Sequence, residues 1–92
     1  MSGFPVVGDG FIAEVEVGGQ HLRLFSEVYE LGYCAVVYDV NAKHEVARHD
    51  TDSLEDGRKK AEESAGNYLK HVHGIAPLPY VNWQMNAQTQ QK

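Results

Sequence analysis

Three consecutive basic side chains, Arg58, Lys59 and Lys60, are the residues of this chain best suited to hold an anion. One helical turn carrying a guanidinium and two ammonium groups can neutralise the phosphates of a nucleic-acid backbone. The same groups can instead pair with acids one turn away. Glu55 stands four residues before Lys59, Asp56 four before Lys60, and Glu62 and Glu63 four after Arg58 and Lys59. Pairs at this spacing each stabilise a helix by about 0.2–0.5 kcal/mol. The triplet is therefore read first as the solvent face of a helix and second as a phosphate-contacting edge.

Other chemistry is less well supported by spacing. The stretch "HEVARH", residues 44 to 49, is one residue longer than the zinc-protease pattern, which needs two His at i and i+4 on one helical face. In a strand, His44 and His49 would fall on opposite faces, and His71 and His73 sit two apart at a helix end. With a single cysteine, no zinc ligand set emerges, so neither a metal nor any other cofactor is expected. Cys34, within "YCAVVYDV", has no cationic neighbour in sequence to lower its pKa and reads as a buried thiol. No Ser occupies a Gly-x-Ser-x-Gly elbow, and "VVGDGF" lacks the Lys-Ser/Thr ending of a phosphate loop. No catalytic residues are assigned, and binding is favoured over catalysis.

Aromatic groups near the end of the chain offer a different use. In "IAPLPYVNWQM", Pro77 and Pro79 forbid a helix, and the alternation from Tyr80 to Met85 suits an edge strand or an extended arm. Tyr80 and Trp83, the only tryptophan, either close the small core or anchor a partner. Arg23, the single basic residue among positions 1 to 39, completes the candidate partner-binding set with Arg58, Lys59, Lys60, Tyr80 and Trp83.

The elements that must position these groups follow from pattern. A chain of 92 residues with 42% hydrophobic and 23% charged residues fits one folded domain with a thin core. The expected domain is 1–85, with a polar, mobile tail over 86–92. Net charge is −5, and six of the 13 acidic residues lie in positions 1 to 39, which argues against a free-standing duplex binder. The opening "MSGFPVVGDGF" has no secretory pattern and no run reaches membrane-spanning length, so a cytoplasmic protein is expected.

Two alternating segments flank Gly18-Gly19 and predict a hairpin with a primed turn. Facing Val17 with Gln20 sets Val15 against Leu22 and Ala13 against Leu24 on an apolar side. Glu16 then meets His21, Glu14 meets Arg23 and Ile12 meets Phe25 on the other. Residues 33 to 40, apolar almost throughout, predict a third strand covered on both sides. "EVARHDT" predicts a fourth. Ser53 as N-cap, an inward stripe of Leu54, Ala61, Ala65, Tyr68, Leu69 and Val72, and Gly74 past the end predict one long helix. The fold class is α+β: a four-stranded antiparallel sheet in β-β-β-β-α order, a helix on one face and an extended C-terminal arm.

"GYCAVVYDV", "SLEDGRKKAEESAGNYL" and "GIAPLP" together resemble HicB-type antitoxins, in which a short sheet precedes a helix ending in Tyr-Leu and a proline-containing tail. The matching positions are Leu54, Glu55, Asp56, Ala61, Glu63, Tyr68 and Leu69. That resemblance implies binding to a small ribonuclease. "RKKAEESAGNYL" is also similar to the last helix of double-stranded-RNA-binding domains, with Arg58 and Lys59 as the basic pair and Ala61 and Ala65 as packing alanines; Glu62 stands where that family has another Lys. The function expected is that of a small non-enzymatic inhibitor or interaction module, antitoxin-like or anti-CRISPR-like, with a protein or ribonucleoprotein target. The alternative is an RNA-binding module using the basic helix start.

Overall fold

A computed structural model describes residues 10–29 and 32–85. The anticipated tail, 86–92, and the opening residues lie outside the described part. An antiparallel meander runs through β1 (Gly10–Val17), β2 (Gln20–Tyr29), β3 (Gly32–Asp39) and β4 (His44–Thr51). The helix α1 (Leu54–His73) follows, then a short strand, β5 (Gln84–Met85). Sheet order is β4-β3-β2-β1-β5, so the sheet has five strands and not the expected four. The extra strand is the arm: Met85 pairs with Phe11 and Gln84 with Ile12.

The hairpin register is as expected, Val15 opposite Leu22 and Glu14 opposite Arg23. Gly18 and Gly19 take φ of 59° and 82°, the pair of positive values that a type I′ turn requires and that side chains oppose. β3 lies inside the sheet, but the helix covers only one of its faces. Ala35 and Val37 point to α1, while Cys34 and Val36 are buried on the opposite side between neighbouring strands.

Ser53 caps α1 by accepting from the Asp56 amide at 3.0 Å, and Gly74 closes it in the left-handed region. Gly57, Ala61, Ala65 and Leu69 form the buried ridge, packed over Ala13, Val15, Leu22, Leu24, Ala35 and Val37. Small residues bring the first half of the helix close to the sheet. A Cβ on Gly57 would overlap Ser26 Oγ, and the fully buried Ser26 hydroxyl donates to the Leu54 carbonyl at 2.7 Å. Val72, expected in the inward stripe, lies off the buried ridge and is 59% exposed. Among the described residues no helix is long and apolar enough to cross a membrane.

Candidate functional site

The buried ridge of α1 decides where its other side chains go. One step round from Gly57 and Ala61, Arg58 and Glu62 lean toward β1 and the arm. The Arg58 guanidinium carbon lies 4.4 Å from the centroid of the Phe11 ring, a cation–π contact. Glu62 accepts the indole N–H of Trp83 at 2.7 Å. Val81 is buried in the core, and Leu78 and Trp83 pack against it. The arm is thus tied down at Leu78, Val81, Trp83 and β5. Tyr80, next to the buried Val81, turns outward and is 90% exposed, and Met85, opposite Phe11 on the edge strand β5, is 67% exposed.

Arg58, Lys59 and Trp83, three of the sequence-derived candidates, line one shallow recess with Glu55 and Glu62. Lys60 joins Lys59 around an adjacent one that includes Leu78. The helix pairs expected from spacing do not close: among the described residues no ion pair within 4 Å engages Arg58, Lys59 or Lys60. Arg58 has taken the aromatic ring and Glu62 the indole. Lys59 and Lys60 stand exposed among carboxylates without touching them.

Arg23 is remote from this cluster, on the sheet face turned away from α1. Its Nε donates to Glu14 Oε2 at 2.6 Å, while His21 Nε2 contacts Glu14 Oε1 at 2.5 Å. Burial pushes the Glu14 carboxyl up, but hydrogen bonds from Arg23 and His21, with their charges, outweigh it and hold the group below its usual range. On the same face Cys34 sits in register between Glu27 and Asp50. Burial first, then the neighbouring Glu27 charge, raises its thiol, with Arg48 opposing; such a thiol is a poor nucleophile at neutral pH.

The histidines need one correction. Between Val37 and Tyr38 the β3–β4 register shifts, leaving Val46 as the extra residue of a bulge. The shift reverses the alternation, so His44 opposite Asp39 and His49 opposite Ala35 lie on the same face, not on opposite faces. They remain too far apart for one ion, about 13 Å along the strand. His49 Nε2 instead meets Ser64 Oγ on α1 at 2.6 Å. Among the described residues no three His, Cys, Asp or Glu side chains gather as a metal site.

Sequence reasoning missed a buried carboxylate. Asp39, 2% exposed, accepts the Tyr68 hydroxyl at 2.6 Å on one oxygen and the Ala42 amide at 3.0 Å on the other. The signal was present in "YDVNAK", where an Asp at a strand end can cap the turn that follows. The Tyr68 hydrogen bond, opposed by burial and helped by the Ala42 and Asn41 amides, lowers the Asp39 pKa. The hydrogen bond to Asp39, with burial, raises that of Tyr68. This pair joins α1 to the β3–β4 turn and is structural.

No protein-family model, curated protein or solved structure matches this chain.

Proposed function

We propose that this chain is a small cytoplasmic binding protein, a stoichiometric inhibitor or interaction module of the antitoxin-like or anti-CRISPR-like kind, acting on a protein or ribonucleoprotein target without catalysis. The observation that carries this reading is the anchored arm. Val81 and Trp83 fix the backbone, and Tyr80 and Met85 project from it into solvent. A tyrosine on a held backbone loses little freedom on binding, and aromatic residues and methionine are enriched where proteins meet. The neighbouring helix start supplies a mixed-charge rim from Glu55, Lys59 and Glu62.

Affinity capture from the native host identifies the target, and the variants Tyr80→Ala and Met85→Ala then test the surface. Each should weaken binding by roughly tenfold or more, as expected of a buried interface anchor, with thermal stability unchanged. Wild-type affinity in both variants refutes the assignment.

A second reading rests on one observation, that among the described residues no ion pair within 4 Å engages Lys59 or Lys60. They can therefore reach phosphates, as the RNA-binding alternative requires. Replacing Arg58, Lys59 and Lys60 by Gln should then lower the salt dependence of RNA affinity by roughly one log–log unit per lost contact, somewhat less on a single strand. On the leading reading, free RNA shows no measurable affinity before or after the change.

A further inference from the structure

The outer edge of β1 is only partly used. On its inner side β1 pairs with β2 along all of Gly10–Val17, but on its outer side β5 reaches only Phe11 and Ile12. The arm does not continue that ladder, because Val81 is drawn into the core and Trp83 bonds to Glu62 of α1. A strand lane remains beside Ala13–Val17, about 17 Å long at the usual strand rise. The type I′ turn fixes which groups face it. Residues flanking such a turn exchange both hydrogen bonds, and alternation then directs the backbone N–H and C=O of Val17, Val15 and Ala13 to β2 and those of Glu16 and Glu14 outward. Among the described residues no backbone hydrogen bond meets Glu14 or Glu16 on that side, and both residues are exposed. Two recesses follow one another along the lane. One, of about 250 Å³, is bounded by Ile12, Ala13, Glu14, Asn82 and Gln84; the next, of about 340 Å³, lies at Glu16, Val17 and the turn. Asn82 and Gln84 bring exposed side-chain amides to the first, and these amides make no hydrogen bond among the described residues.

We propose that this lane binds an extended segment of another protein, which joins the sheet as a strand beside β1. Its backbone meets the outward groups of Glu14 and Glu16, and the amides of Asn82 and Gln84 receive the end that abuts β5. Alternation sets its side chains. On the face turned away from α1 they neighbour Glu14 and Glu16 and are basic; on the other face they neighbour Ala13, Val15 and Val17 and are small and apolar. Glu16, with only His21 near it at 3.8 Å, is the freer of the two acids. A second copy is the wrong occupant, because antiparallel pairing of β1 with itself about Glu14, Val15 or Glu16 sets glutamate against glutamate. A nucleic acid is repelled by the same carboxylates. The opposite edge of the sheet, β4, carries a bulge at Val46 and several charged residues, features that oppose strand addition there. The lane makes no use of the Tyr80 side chain and does not depend on the outer surface of the arm.

The test is NMR titration of the isotope-labelled full chain with short end-blocked peptides, one alternating Lys with Val and the other Glu with Val. Saturable shifts are expected at the Glu14 and Glu16 backbone amides and at the Asn82 and Gln84 side-chain amides. The Lys–Val peptide should bind about fivefold tighter, as two cross-strand charge pairs imply. Glu16→Lys, a change at an exposed position, should remove that preference. Two further Lys–Val peptides, methylated on the backbone nitrogen of every Lys or of every Val, show whether the backbone is read. Amides of alternate residues point to opposite edges of a strand, so one methylated peptide should lose binding and the other keep it. Tyr80→Ala should leave peptide binding unchanged, which separates this proposal from the arm. The proposal is overturned by an absence of saturable shifts, by equal binding of the two methylated peptides, which would mean attraction by charge alone, or by a dimer in sedimentation that protects the Glu14 and Glu16 amides. Binding seen only after deletion of residues 1 to 9 or 86 to 92 would likewise overturn it, by assigning the lane to the chain's own ends.

Discussion

Replacing Tyr68 by Phe removes one oxygen and leaves a buried carboxylate short of a donor. Asp39 is almost fully enclosed and accepts from Tyr68 at 2.6 Å and from the Ala42 amide at 3.0 Å. A hydrogen bond to a charged acceptor contributes about 1.5–3 kcal/mol, and that is the loss expected at pH 7. The edge-to-face contact of Tyr68 with His73, ring centroids 5.3 Å apart, is available to Phe, so packing changes little. Urea unfolding should show a lower midpoint with an unchanged slope. Because the Asp39 pKa is lowered in the fold, the unfolded chain binds more protons between the two values, and stability rises with pH there. The contribution is complete above the ordinary Asp value of about 3.9 and is lost as pH falls through the folded value. The gap between wild type and variant should therefore narrow below about pH 3.9. Tyr68 titrates above its ordinary value, so its share persists below about pH 10 and disappears as pH rises through the folded value. Equal midpoints at pH 7, or a gap that does not narrow in acid, would refute the reasoning.

Three further outcomes are expected. Gly57→Ala should destabilise the fold by about 1–3 kcal/mol through overlap with Ser26, despite the roughly 1 kcal/mol that Ala gains over Gly in a helix; Ser26→Ala in the same chain should recover part of it in a double-mutant cycle, and a stabilising Gly57→Ala would show that helix and sheet stand farther apart. Trp83→Phe keeps much of the ring packing but loses the bond to Glu62, so a thermal melt should report a cost of about 0.5–1.5 kcal/mol. Chelator should leave the melting temperature unchanged; a fall of several degrees would reveal a metal held by groups from separate segments.

What the sequence revealed and what it hid divide along a physical line. The β1–β2 register was legible because one residue of slip would move Val15 and Leu22 to the charged face and Glu14 and Arg23 into the core. The helix ends were legible because Ser53 and Gly74 satisfy backbone groups locally. Interactions set by tertiary approach were not. Arg58 meets Phe11 and Glu62 meets Trp83 only because the arm returns to β1, so spacing within the helix misassigned their partners. The bulge at Val46 leaves no Gly or Pro signature, and alternation alone therefore placed His44 on the wrong face. Of the candidate residues, spacing united the basic triplet, the fold added Trp83, and Arg23 proved remote.

The arm also sets an order of events. β1 to β4 follow one another at separations of two to four residues, so their pairing closes small loops, whereas β5 meets β1 only after nearly the whole described chain has been laid down. Contacts between residues so distant in sequence form late, and two paired residues hold less than the long ladders between the other strands. The meander and helix are thus expected to assemble first, with the arm docking last and leaving first. Hydrogen exchange should show the β1–β5 amides opening with a smaller free energy than those of β2 and β3. Each such opening would release Trp83 from Glu62 and uncover the outer edge of β1 while the remaining strands stay folded.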